Sequence, residues 1–282
     1  MKLKIFGDTT PINWSGMGIK MPFAPMHELA EKYELEKEPY YVRLPLDDTL
    51  YISDLRRTFE VKELGDNLGQ WGRLEQRIAL RVRNTIAAQD QCTPDTICIN
   101  LGAGYHHAGK KPNTGYAYSL INDIIWAVDY QLEQNKTIGI IDLDFHFGGG
   151  TYEYYYRNPK VQLYDSYHPR GILQKHVYLT ESDHHPVWSS ISDNVSYQPD
   201  MNHSMWADCD KILLNIGTDW YKNDTLFGQY GCMEAEDLLN VWKATITQII
   251  NRNTPLAITM GGGYGPHGLK LYESLIQWLQ QL

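Results

Sequence analysis

Ile140-Ile-Asp-Leu-Asp-Phe-His-Phe-Gly-Gly-Gly150 is the stretch on which the reading of this chain turns. Across 137–144 the sequence predicts a buried strand, an apolar β-branched run that ends in acids and then in glycines. Side chains alternate across a strand, so Asp142, Asp144 and His146 are expected on one face, and Leu143 and Phe145 on the other. Two carboxylates and an imidazole converging at a strand's carboxyl end form a nest for a divalent cation. Buried without one, the same groups would repel one another or stay unsatisfied.

The pattern recurs on both sides of this stretch. Strand-like runs cover 96–101, 161–164, 211–217 and 255–260, and apolar residues at helical spacing cover 70–88, 118–134, 234–251 and 269–282. Alternating strands and helices predict an α/β fold, a mostly parallel sheet flanked by helices, with ligands outside the carboxyl ends of the strands. Chemistry-bearing residues follow the strands accordingly: Gly-Ala-Gly-Tyr-His-His at 102–107, His146, Thr218-Asp219 and Gly261-Gly-Gly-Tyr264. No repeat, low-complexity tract or proline-rich linker divides the chain, so 1–282 is expected to be one domain. Its least regular part, 1–65, is expected at the rim or over the site.

Composition narrows the class. With 282 residues, 43% hydrophobic and 21% charged, the chain can bury a full core and is not expected to be disordered. No apolar run approaches the ~20 residues that span a bilayer, and Met1-Lys-Leu-Lys-Ile-Phe-Gly-Asp8 lacks the apolar stretch of a signal peptide. A soluble, cytoplasmic protein is therefore expected, with signal-independent export as an effector left open. Cys92, Cys98, Cys209 and Cys232 show neither metal nor disulfide spacing and read as free thiols. A net charge of −9 without a basic stripe argues against direct nucleic-acid binding.

Asp144, His146 and Asp219 read as a catalytic metal's ligands: one imidazole and two carboxylates with an open position. The competing reading has Asp142 and Asp144 capping loops and His146 satisfied in the core; Asp219, from a separate strand, favours the metal. His106 and His107 could divide the proton work of a hydrolysis, one taking a proton from water and the other giving one to a leaving amine. His184 and His185 form a second pair, but in a polar loop expected at the surface. Tyr264 could hydrogen-bond a developing oxyanion, or simply follow a tight strand-to-helix turn. Its glycines lack the Lys-Ser/Thr of a phosphate loop.

Taken in order, these pieces resemble the histone deacetylase family. Gly102-Ala-Gly-Tyr-His-His-Ala108 is similar to its paired-histidine motif, and Gly115-Tyr-Ala-Tyr-Ser-Leu-Ile-Asn-Asp123 to the Gly-Phe-x-x…Asn-Asp segment that follows. Asp142-Leu-Asp-Phe-His146 matches the Asp-x-Asp-x-His core, Ile216-Gly-Thr-Asp219 the Gly-x-Asp of the last ligand, and Gly261-Gly-Gly-Tyr264 the catalytic-tyrosine loop. Asp165-Ser-Tyr-His168 and the short chain look closest to the class IV branch and its bacterial relatives. The resemblance implies an arginase/deacetylase fold, a deacetylase-like catalytic domain, and zinc-dependent hydrolysis of an acyl-lysine or a small acylated amine. It implies that Asp144, His146 and Asp219 hold zinc, that His106 and His107 are the acid/base pair, and that Asp142 orients His106. Tyr264 would polarise the acyl carbonyl, while Tyr116 and Gly262 would contact substrate. A structural potassium ion near the backbone of 142–146, with Ser166 contributing, belongs to the same expectation.

Two departures stand out. Gly149 occupies the position of an aspartate that usually supports the second histidine, so His107 is expected to titrate lower than its family counterpart. Phe147 replaces a polar residue and is expected to narrow or dry the site. They motivate an alternative, a catalytically weak or idle module that binds acyl-lysine. An arginase-like ureohydrolase is disfavoured, because position 148 is glycine where a two-manganese site needs another aspartate.

Overall fold

The structure, a computed structural model, describes residues 1–9, 26–36, 68–102, 104–110, 121–166, 206–225, 233–263 and 265–282. Its strands are β1 (Lys2–Phe6), β2 (Thr96–Leu101), β3 (Ile138–Leu143), β4 (Val161–Asp165), β5 (Lys211–Ile216) and β6 (Leu256–Met260). They form one sheet in the order β1-β2-β6-β5-β3-β4, and every neighbouring pair is parallel. The helices are α1 (Met26–Ala30), α2 (Leu68–Gln91), α3 (Asp123–Glu133), α4 (Gly149–Tyr155), α5 (Ala235–Asn251) and α6 (His267–Leu279).

Helices cover both faces, which is why the inner strands read as unbroken apolar runs. On one face Ile97, Ile99, Ile141, Leu143, Leu214 and Ile258 pack with residues of α1, α5 and α6. The alternate residues Cys98, Ile138, Ile140, Leu213 and Ala257 pack against α2 and α3 on the other. Near its carboxyl end the second face turns polar. Asn100, Thr259, Asn215, Asp142 and Asp165 stand in one register across β2, β6, β5, β3 and β4. All five are buried, so each must find a partner at this edge.

Three features depart from the sequence reading. The first residues do not lie at the rim: β1 pairs with β2 as an edge strand. It is short, and Lys2 and Lys4 interrupt its apolar run, as suits an edge. β3 stops at Leu143, so Asp144 and His146 stand on the bend beyond it rather than on the strand's face. Finally, α4 begins at Gly149, where no helix is expected. Here Gly150 lies so close to the carbonyl of Ala108 that a Cβ would overlap it, so glycine is required.

Candidate metal and histidine site

Beyond the ends of β3 and β5, three expected ligands meet. The His146 backbone N–H donates to Asp144 Oδ1 at 2.8 Å, and His146 Nδ1 lies 3.2 Å from that oxygen and 2.9 Å from Asp219 Oδ2. One donor atom from each of Asp144, His146 and Asp219 lies within 4.8 Å of the others. Gly262, beyond β6, closes the cradle, and a Cβ there would overlap both Asp144 Oδ2 and Asp219 Oδ1.

Those two oxygens are buried, and among the described residues neither accepts a hydrogen bond. Burial and the neighbouring Asp144 push the Asp219 carboxyl up to about 7. Burial also raises Asp144, but His106 and His146 outweigh it and hold that carboxyl below its ordinary range. Burial works against charge on His146 as well, yet Asp144 and Asp219 carry it up to about 9. Two crowded carboxylates, each with an idle oxygen, and an imidazole at their side are the donor set of a borderline divalent cation. The residues present fit such an ion.

His106 and His107 follow β2 on a loop held from beneath. Asp123, at the start of α3, accepts the N–H of Gly104 at 3.0 Å and of Tyr105 at 2.6 Å. Asn122 caps α3 through the N–H of Ile125 and donates to the carbonyls of His106 and Ala108 at 3.2 and 2.9 Å. Gly104 has φ +89°, and a Cβ there would overlap Asn215 Oδ1, so the turn needs glycine.

This loop delivers His106 to Asp142, with Nδ1 2.6 Å from Oδ2. The other carboxylate oxygen accepts Asn215 Nδ2–H at 2.8 Å and the Asp144 N–H at 3.2 Å. Asp142 is thus oriented from three directions. His106 Nε2 faces the cradle, 3.7 Å from Asp144 Oδ1. Burial opposes charge on His106, but Asp142 and then Asp144 outweigh it and raise the ring to about 10. His107 lies against His106 with centroids 4.1 Å apart, and its edge meets His146 at 5.6 Å, so three imidazoles run side by side.

Several members of the site are given no role in the sequence reading. Asn215 is a polar interruption in an apolar strand, a signal that was available. Asp165 closes β4 as the register partner of Asp142, and its Oδ2 accepts the Gly148 N–H at 2.9 Å. Burial and the nearby Asp142 push its carboxyl well above the ordinary range. Asn122 and Asp123 stand in a recognised motif, but their role as anchors needs the fold.

Phe147 does not narrow the site. It turns into a separate cluster with Tyr152, its ring 5.5 Å away, because α4 rises beside it. Ser166 donates through N and Oγ to the carbonyl of Asp142 at 2.9 and 3.2 Å. Cys92, Cys98 and Cys209 are free thiols. Tyr264, Tyr116, His184, His185 and Cys232 lie outside the described residues. Among the described residues, no helix is long and apolar enough to cross a membrane.

Comparison with known proteins finds a likeness to one family. Residues 50–178 match the family model described as the histone deacetylase domain, a stretch that ends before Asp219 and Gly262. Histone deacetylase clr6 of Schizosaccharomyces pombe is 26% identical over 181 residues, covering 60% of this chain and 43% of that protein. Histone deacetylase 1 of Homo sapiens is 25% identical over 182 residues, covering 60% of this chain and 36% of that protein. The chain therefore matches less than half the length of these relatives. A crystal structure of an HDAC homolog from Aquifex aeolicus superposes with a TM-score of 0.63 at 17% identity, covering 98% of this chain and 83% of that one. The crystal structure of an HDAC homolog complexed with SAHA gives 0.66 at the same identity and coverage. At that identity the superpositions carry the fold alone.

Proposed function

We propose that the chain is a histone deacetylase-like, zinc-dependent hydrolase of acylated amines, a reading supported by its similarity to that family's domain model and to curated members. Its substrate is an acylated lysine of a protein or a small acylated amine. The observation that carries the reading is the pair of idle buried oxygens, Asp144 Oδ2 and Asp219 Oδ1, facing a glycine wall beside His146. Asp144, His146 and Asp219 would hold the ion. Zinc bound there supplies a Lewis acid for the acyl carbonyl and lowers the pKa of water.

The remaining work falls to the chain's own side chains. Asp142 keeps a proton on His106 Nδ1; with the pull of the Asp144 carboxylate on the ring offset by the cation it would hold, Nε2, the nitrogen facing the cradle, is left to take a proton from water. His107, whose ring lies tilted against that of His106, is the second member of the pair and delivers a proton to the departing amine. Tyr264 donates to the oxyanion, and Tyr116 and Gly262 border the acyl-lysine stem.

A second reading, an acyl-lysine-binding module without turnover, is favoured by Gly149, which brings no carboxylate to His107. One experiment separates the two. Protein of measured zinc content is assayed on lysine peptides carrying acetyl through myristoyl groups, with Asp219→Ala and Tyr264→Phe beside it. Hydrolysis is expected, lost in Asp219→Ala and slowed in kcat at unchanged metal content in Tyr264→Phe. Full zinc occupancy with tight peptide binding and no turnover would move the assignment to the binding module.

A further inference from the structure

Tyr272 lies one turn inside α6, fully buried and remote in sequence from the expected ligands, and the proposed chemistry makes no use of it. Its hydroxyl approaches two backbone carbonyls at once, Gly262 O at 2.5 Å and Ile216 O at 3.2 Å. Those carbonyls belong to the two loops that form the cradle. Ile216 ends β5 and is followed by Gly217, Thr218 and Asp219; Gly262 follows β6 and walls the idle carboxylate oxygens.

The same loops are already laced by backbone bonds, Gly261 N–H to Ile216 O at 3.0 Å and Thr218 N–H to Gly262 O at 3.0 Å. The phenol spans both links from below and ties them to a helix that bears no proposed ligand. Its ring is clamped in turn, stacked on Trp242 of α5 with centroids 5.7 Å apart and planes 8° apart. Burial, with Asp219 and Asp144 close by, pushes its ionisation far above that of an ordinary tyrosine, so the hydroxyl remains a donor.

The width of the cradle is therefore set by these backbone links together with one buried hydroxyl. A Cβ on Gly262 would overlap Asp144 Oδ2 and Asp219 Oδ1, and the Thr218 N–H bond to Gly262 O couples this wall to the loop that carries Asp219. We propose that Tyr272 is a positioning residue for the metal cradle, holding the loops after β5 and β6 at the separation at which Asp144, His146 and Asp219 bind a divalent cation together. This rests on the reading of those three residues as ligands and reaches beyond it to a helix outside the recognised motifs.

The test is zinc affinity, measured by competition with a chromophoric chelator on the full chain, for wild type, Tyr272→Phe and Leu275→Ala. Tyr272→Phe keeps the ring and its stack, and both carbonyls keep a backbone donor, so no acceptor is stranded. Leu275 is equally buried on the same helix, so its truncation loosens α6 without touching the hydroxyl. Changes in groups that orient metal ligands typically weaken metal binding ~10–100-fold, and Tyr272→Phe is expected near the lower bound. Leu275→Ala is expected to lower Tm at least as far while keeping wild-type zinc affinity. Equal affinity in wild type and Tyr272→Phe would overturn the proposal, as would losses that merely follow Tm in both variants. Wild type that binds no zinc would instead defeat the ligand reading itself, and zinc binding without hydrolysis would defeat only the proposed activity.

Discussion

Asp123 and Asp219 are both buried carboxylates at the open edge of the same sheet, and burial raises the pKa of both. Their surroundings differ in kind. Asp123 is fed by Gly104 N–H, Tyr105 N–H and the Thr85 hydroxyl, with Thr259 close behind. Asp219 shares His146 with Asp144, and each acid keeps an idle oxygen. A carboxylate saturated with donors is a fastener; a pair with convergent, unused lone pairs in a buried cradle fits the cation proposed for it. Burial and pKa direction alone would not separate them. The donor inventory does.

The strongest challenge to that contrast is to remove each acid in turn. Asp219→Ala should abolish stoichiometric zinc binding and hydrolysis while leaving the metal-free protein at least as stable at pH 8, where like charges crowd the cradle. Asp123→Ala should do the reverse. It strands two buried N–H groups, at a cost of about 2 kcal/mol in urea unfolding, and should still bind zinc at wild-type stoichiometry. Zinc loss of similar size in both would erase the distinction.

Gly262→Ala sharpens the cradle side, because its methyl would occupy the space between Asp144 Oδ2 and Asp219 Oδ1. Zinc affinity should fall by more than the ~10–100-fold seen when groups around metal ligands are altered, with little change in Tm. An alanine variant that keeps wild-type affinity would mean that the idle oxygens do not face the ion.

A smaller effect is expected at Gly148. A Cβ there would lie 2.7 Å from Asp142 Oδ2 and 3.2 Å from His106 Nδ1, inside the bond that joins them. Gly148→Ala should lower kcat about tenfold, the lower range of what general acid–base groups contribute, with zinc content unchanged. Unchanged kcat would detach the Asp142–His106 pair from the chemistry.

The smallest effect concerns pH. His106 titrates at about 10 in the folded protein against 6.5 as a free side chain. A folded value above the unfolded one means that the stabilisation is complete below pH 6.5 and is lost as pH rises through the folded value. Stability to urea of the metal-free protein should therefore weaken from about pH 6.5 toward pH 10, and Asp142→Asn should make that slope shallower, leaving the part contributed by His146, which Asp144 and Asp219 raise to about 9. A slope left unchanged by the substitution would assign it wholly to other groups.

Much of this was legible because parallel strands buried on both faces leave unbroken β-branched runs, and their ends are marked by glycine and acid. That logic located Asp144, His146, Asp219 and the paired histidines. It failed at β1, whose lysines hide a five-residue edge strand, and at α4, whose glycines suit a helix only because the histidine loop presses against it. It also misjudged Phe147, because the helix α4 that receives its ring against Tyr152 was not foreseen.

By itself the sequence determined which residues stand at the strand ends and the chemistry they can offer, since both follow from local periodicity and residue type. Only the tertiary structure decided which of them meet. Asn215 reaches Asp142 because β5 pairs with β3, Asp165 joins them because β4 flanks β3 on the other side, and Tyr272 reaches Gly262 because α6 packs beneath β5 and β6. Strand order and helix packing are settled by burying surfaces far apart in the chain, and no local pattern encodes that choice.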